Sequence, residues 1–295
     1  MTVMNPIPEY PLSPARVEEL RPVLERLYTE FHRTDFLESD PVSFAHEFDD
    51  PADREVAALI AAAFAFGNVT SIKTTVRQIL KPLRPHPAQA IAAREPGDWA
   101  RAYPKFVYRW VRPRDLRHFL AWTGGALREY GSLGALWQQL DDPNEETVLP
   151  TLQDWIDALT AMPTGNLRPR RRTLHRAGSR PRPLPSGAHL LLTPPDKKSA
   201  CKRMNMFLRW VARPADGIDL GLWSHVSPAR LVMPVDTHVL KAARVLGLTQ
   251  RPTADLRTAL EITRALRQID PADPVRFDFA LVRPGILRLE REMKS

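Results

Sequence analysis

Cysteine occurs once in these 295 residues, at Cys201. A single thiol excludes an intrachain disulfide framework and any four-cysteine zinc or iron–sulfur site. No run of about 18 apolar residues is present either, so the sequence predicts no membrane-spanning helix. The opening stretch MTVMNPIPEYPLSPARVEEL lacks a basic segment followed by an apolar one and reads as no secretory leader. A cytoplasmic location fits such a chain. Runs of alternating β-branched residues are too short to demand a sheet, and there is no internal repeat or heptad array. Acidic residues are the scarcer charge: 34 Asp plus Glu stand against 42 Lys plus Arg, a net of +8. That imbalance favours a polyanionic partner, of which nucleic acid is the commonest.

What is present reads as an all-α chain. Ser13 and Pro14 open a helix with Val17, Leu20, Val23, Leu24 and Leu27 at helical spacing. A second begins near residue 53 and is the most apolar; Gly67 is expected to stop it. Asn68 leads into a third, carrying Val69, Ile72, Val76, Ile79 and Leu80. Further helices are expected over Arg114–Tyr130 and Glu146–Met162. Tyr103, Phe106, Tyr108 and Trp110 could stack on a base, although aromatics at this density more often build a core.

Two segments break the pattern. TGNLRPRRRTLHRAGSRPRPLPSG, residues 164–187, has seven Arg, several Pro and no acid. Repeated Pro forbids a regular helix. The segment reads as an exposed loop between lobes at 50–163 and 188–286. Its Arg170, Arg171 and Arg172 could follow a phosphate backbone, or the loop could be a solvated connection. Next, a TPPD turn leads into KKSACKRMNMFLRW, where Lys198 or Ser199 is expected to begin a helix with Met204, Phe207, Leu208 and Val211 on its apolar face. Lys197, Lys198, Lys202 and Arg203 crowd its first turns, where cations oppose the helix dipole. A turn, free backbone N–H groups and lysines together favour a phosphate clamp over an ordinary helix with a solvated basic face.

The stretch LVMPVDTHVLKAARVLGL poses the central question. Asp236 sits where a helix carrying Val239, Ala242, Ala243 and Leu246 should begin, with Gly247 as its stop. Asp is a good N-cap, and from local physics a cap is the favoured reading. A carboxylate held ionised at a helix N-terminus can also stabilise an oxocarbenium ion or activate water at an anomeric carbon.

PVDTHVLKAARVLGL resembles the stretch bearing the essential aspartate of the helix-hairpin-helix DNA glycosylase superfamily, the group of endonuclease III, adenine glycosylase and 8-oxoguanine glycosylase. The order of turn, basic helix and Asp236 is similar to that group, as are EVAALIAAAFAFGNVTSI and the closing FDFALVRPGI. The resemblance implies a two-lobed helical fold and a monomer on double-stranded DNA. It implies a target base rotated out of the stack and Asp236 as the catalytic carboxylate. Thr237 and His238 then belong to the DNA-binding end of that helix, and Phe66, Gly67 and Asn68 fill the gap or line the base pocket. The family hairpin reads L-P-G-V-G, whereas this chain has LTPPDKKSA without either glycine. Ungapped alignment puts Lys198 at the family's lysine nucleophile, and a one-residue slip puts Lys197 there. A phosphate clamp by these lysines, and so a monofunctional glycosylase, is the preferred reading. No cofactor is implied beyond a monovalent cation at the hairpin. A hydroxymethylated or glucosylated cytosine of phage DNA is the slightly preferred substrate. Repair of an oxidised, alkylated or deaminated base competes with it, by a glycosylase or a glycosylase/lyase, and a non-catalytic DNA-binding module is the non-enzymatic alternative.

Overall fold

The computed structural model describes residues 12–95, 97–164, 187–197 and 199–283. Arg170, Arg171, Arg172 and Lys198, expected to contact DNA, lie outside them. Among the described residues the chain is helical with no strand, only two isolated bridges, and no helix is long and apolar enough to cross a membrane. The all-α expectation holds.

Helix α1, Pro14–Phe31, starts as its sequence dictates: the Ser13 hydroxyl accepts from Arg16 N–H at 3.3 Å and Pro14 occupies the first turn. It buries Leu20, Leu24, Leu27 and Phe31. Helix α2, Pro51–Ala63, is capped by Asp50, whose carboxylate accepts from Ala52 and Asp53 N–H. From Glu55 to Ala63 every residue of α2 is buried. The alanines let neighbouring backbones approach, and α2 forms the centre of the molecule.

Two carboxylates inside α2 are spent on other helices. Asp53 accepts from Ala88 N–H at 2.8 Å, at the start of α4, Pro87–Ala93. Glu55 accepts from Leu133 and Gly134 N–H, both at 2.8 Å, at the start of α7, Leu133–Leu140. Glu55 also accepts from the indole N–H of Trp223 at 2.6 Å. A Cβ on Gly134 would lie 2.6 Å from that same indole nitrogen, so only glycine fits.

Helix α3, Val69–Leu80, is capped by Asn68, which accepts from Ser71 N–H at 2.8 Å. After the short α5, Trp99–Ala102, come α6, Pro113–Tyr130, and α8, Leu149–Ala161. Beyond the short α9, Ala188–Leu191, lie α10, Lys202–Ala212, α11, Thr237–Val245, α12, Leu256–Ile269, and the short α13, Asp278–Leu281. Helix α10 packs against α2, and α1 packs against α12 and α13. Buried apolar side chains from α1 through α13 form one continuous cluster.

Two boundaries differ from expectation. α2 ends at Ala63, not at Gly67, and the Ala63 carbonyl accepts from the Arg203 guanidinium at 2.6 Å. The basic helix α10 begins at Lys202 rather than at Lys198 or Ser199. Ser199 is drawn into a bridge with Asp255, and Cys201 turns the chain through a left-handed φ of +47°. Both constraints come from distant chain or backbone geometry, and helical periodicity does not carry them.

Candidate active site

Asp236 caps a helix with one carboxylate oxygen and meets a cation with the other. Its Oδ1 accepts from the N–H groups of His238 at 2.8 Å and Val239 at 2.9 Å, capping α11. Its Oδ2 faces the Lys202 ammonium at 3.2 Å. The helix behind it is closed as expected: Gly247, φ +70°, allows Leu248 N–H to return to the Ala243 carbonyl at 2.8 Å and Gly247 N–H to the Arg244 carbonyl at 3.1 Å. The peptide dipoles of α11 therefore point their positive end at a carboxylate whose orientation is fixed.

The Asp236 carboxylate is 27% exposed. Burial alone would push it up. The ammonium of Lys202 and the N–H groups of Val239 and His238 overcome that, and the carboxyl is held below its ordinary value. It is an ionised, oriented anion with an edge open to solvent.

Lys202 is the first residue of α10, which has no side-chain cap. A cation there opposes the dipole, and Asp236 offsets the cost. Two helix N-termini thus converge on one Lys–Asp pair. The following turn of α10 is held by Asn205, whose side-chain amide donates to the Ala200 carbonyl at 3.0 Å.

Two turns along α10 from Lys202 lies a separate buried ion network. The Arg209 guanidinium donates to Asp219 at 2.9 Å and to Asp278, at the start of α13, at 2.6 Å. Arg213 donates to Asp219, to Asp216 at 3.0 Å and to Asp273 at 2.7 Å, and Asp216 also meets Nε2 of His32, the residue just past α1, at 2.8 Å. Most of these carboxylate oxygens are engaged, Asp273 Oδ1 being the buried exception without a hydrogen-bond partner, and the network ties α10 to α13 and to the end of α1.

The other expected site residues separate into groups. Thr237 and His238 are exposed on the first turn of α11, beside Asp236. Lys197 is exposed at the end of a short 3-10 turn and pairs with its neighbour Asp196 at 3.5 Å. Arg203 turns inward: besides Ala63 it binds the Leu190 carbonyl and the Thr193 hydroxyl, and burial pulls its guanidinium down to about 10. It serves as a tie between α2 and the 190–193 segment. Phe66 is half-buried, with Gly67 and Asn68 exposed after it. Cys201 is buried, which pushes its thiol up to about 12 and leaves it inert. Among the described residues no group of three or more His, Cys, Asp or Glu is placed to hold a metal ion.

The Lys202–Asp236 contact is the feature the sequence reading missed. By sequence Lys202 groups with the phosphate-binding residues, and the alignment puts the lysine nucleophile at Lys197 or Lys198. The available signal was the lysine following the SAC tripeptide at the start of the apolar-faced helix.

A family model described as a protein of unknown function (DUF2400) matches residues 40–287. Curated proteins and solved structures gave no significant match.

Proposed function

The chain belongs to this family of unknown function, and from its site we propose that it is a DNA glycosylase, a two-lobed unit of the helix-hairpin-helix kind. The observation carrying the proposal is the Asp236 carboxylate, fixed through Oδ1 by two backbone N–H groups with Oδ2 at an open edge 3.2 Å from Lys202. A fixed, ionised carboxylate with an open edge suits a reaction in which positive charge develops on a deoxyribose. The converging N-termini of α10 and α11, with Lys202, suit the phosphate that flanks such a sugar.

In the hydrolytic scheme the C1′–N bond breaks, the base leaves with a proton, and Asp236 stabilises the sugar cation. Asp236 takes a proton from the water that adds to C1′, that proton is returned through solvent to balance the one carried off by the base, and an abasic site and an ionised Asp236 remain. A second reading has its own observation. Lys202, not Lys197, meets the catalytic carboxylate, so the amine nucleophile of a glycosylase/lyase would be Lys202. There the lysine reacts as the free amine after losing a proton to solvent, its nitrogen bonds to C1′ as the C1′–N bond breaks and the base leaves with a proton from solvent, and a proton from that nitrogen passes to the ring oxygen as the C1′–O bond opens to give a Schiff base.

The test is abasic-site formation by wild type and Asp236→Asn on ordinary duplex, on lesion-bearing oligonucleotides and on phage DNA with modified cytosines. Release confined to phage DNA and lost in the variant supports a defence enzyme. Release from a lesion supports repair. Binding without release from any DNA overturns the enzyme reading and leaves a DNA-binding module. Borohydride trapping that Lys202→Met abolishes would select the lyase scheme.

A further inference from the structure

Between α5 and α6 the chain makes a two-residue turn. Tyr108 N–H donates to the Val111 carbonyl at 3.0 Å and Val111 N–H to the Tyr108 carbonyl at 2.8 Å, leaving Arg109 and Trp110 at the tip. Arg109 has φ +52°, a conformation such turns normally give to glycine, asparagine or aspartate. The Arg109 guanidinium hydrogen-bonds the Tyr108 hydroxyl and lies over Gly67, which holds the turn in this shape.

Trp110 is 40% exposed, and Val107 on the same segment is 59% exposed. The indole is nevertheless fixed. It stacks on Phe66 with ring centroids 4.2 Å apart and planes 20° from parallel. The Arg203 guanidinium lies 5.1 Å from the centre of the same Phe66 ring. Gly67 makes room for the turn, since a Cβ there would sit 3.0 Å from both Arg109 Nε and Tyr108 Oη. Arg203 follows Lys202 in the chain. The contacts thus run from Arg203 to Phe66 and from Phe66 to Trp110, the exposed ring of the three.

Phe66 is thus the support of this column, and the ring free to meet a partner is Trp110. From Trp99 to Arg114 the sequence carries Arg101, Lys105, Arg109, Arg112 and Arg114 and no acid. An exposed, pre-fixed aromatic ring within a cationic segment suits one class of partner: a nucleobase exposed by distortion of a duplex, with its flanking phosphates. A ring held in place before binding loses little entropy on stacking.

We propose that the Arg109–Trp110 turn is a base-stacking platform that engages an unstacked nucleobase of a distorted duplex, with the cationic segment facing its flanking phosphates. The platform rests on the DNA reading above, but it does not require Asp236 to be catalytic.

The test uses two duplexes, one intact and one carrying a central tetrahydrofuran abasic analogue with 2-aminopurine opposite. The analogue presents an open step and no base to excise. Wild type should bind the gapped duplex about tenfold more tightly than the intact one and quench the 2-aminopurine. Trp110→Ala should bind both duplexes equally and lose the quenching, with its circular dichroism unchanged. Trp110→Phe should retain most of the preference. Unchanged gap preference in Trp110→Ala overturns the platform, even if wild type releases bases normally. Gap preference lost in Trp110→Ala, in a protein that releases no base, supports the platform while the glycosylase reading fails. Absence of DNA binding by wild type overturns both, and retention of Trp110-dependent binding by a protein partner alone would reassign the turn.

Discussion

Glu55 and Asp236 perform the same local task in different surroundings. Each accepts two N–H groups from the first turn of a helix: Leu133 and Gly134 for Glu55, His238 and Val239 for Asp236. Each has a third donor, the Trp223 indole for one and the Lys202 ammonium for the other. Glu55 is buried, and burial outweighs its three donors and raises its carboxyl above the ordinary value. Asp236 keeps an open edge, and its ammonium partner holds it below the ordinary value. The capping pattern alone therefore does not mark a reagent. An open edge and an ammonium partner distinguish Asp236 from the carboxylate that ties α2 to α7.

The largest effect should come from removing the Asp236 charge while keeping its cap. Asp236→Asn retains an N-cap acceptor, so the melting temperature should stay within a few degrees of wild type. Base release should fall by roughly 10²- to 10⁴-fold, the usual contribution of a positioned acid–base group. The mirror experiment is Glu55→Ala. Two backbone N–H groups and an indole N–H would be left buried and unpaired, at about 1–3 kcal/mol each. Chemical denaturation should show a loss of several kcal/mol. Base release per folded molecule should be unchanged, and a loss in proportion to Asp236→Asn would end the distinction between the two carboxylates. Smaller again is Gly134→Ala, which sets a methyl against Trp223 and the Glu55 contact; overpacking of this kind costs about 1–3 kcal/mol and should appear as a lowered denaturation midpoint.

Asp236 was legible because its signals are local: a Pro and an apolar run, an Asp, then helical periodicity closed by Gly247. Helix α1 was legible for the same reason, through Ser13 and Pro14. Lys202 was not, because the start of α10 is set by a bridge from Ser199 to Asp255 and by a left-handed Cys201. The hairpin-like segment lacks the glycines that would have fixed its alignment. Glu55 was invisible for a plainer reason: its partners lie on α7 and at Trp223, far along the chain. Among the aromatics preceding α6, the expectation of a core holds for Tyr103, Phe106 and Tyr108, which are buried, and fails for Trp110. Density of rings predicts burial of the set, whereas a two-residue turn decides which member is left outside.

The smallest expected effect is a shift in pH dependence, and it sharpens the contrast between the carboxylates most directly. Asp236 has a depressed folded-state value, so its ionised form is the one the fold favours. Its contribution to stability is fully present above the unfolded aspartate value of about 3.9 and is lost as pH falls through the lower folded value. Base release that needs the carboxylate should likewise persist to a pH below the ordinary aspartate range. Lys202→Met removes the cation that lowers it, leaving burial opposed only by the two N–H groups. If hydrolysis is the route, the acid limb of the rate profile should move to higher pH in this variant while the plateau survives in part. An unmoved acid limb would show that Lys202 does not set the charge state of Asp236. Complete loss of release at every pH, with borohydride trapping in wild type, would instead make Lys202 the nucleophile. For Glu55 the sign is reversed: its raised value means that ionisation is disfavoured by folding, so its titration weakens the fold as pH rises from the unfolded glutamate value of about 4.3 towards the raised one. Stability curves of Asp236→Asn and Glu55→Gln relative to wild type should therefore run in opposite directions between acid and neutral pH.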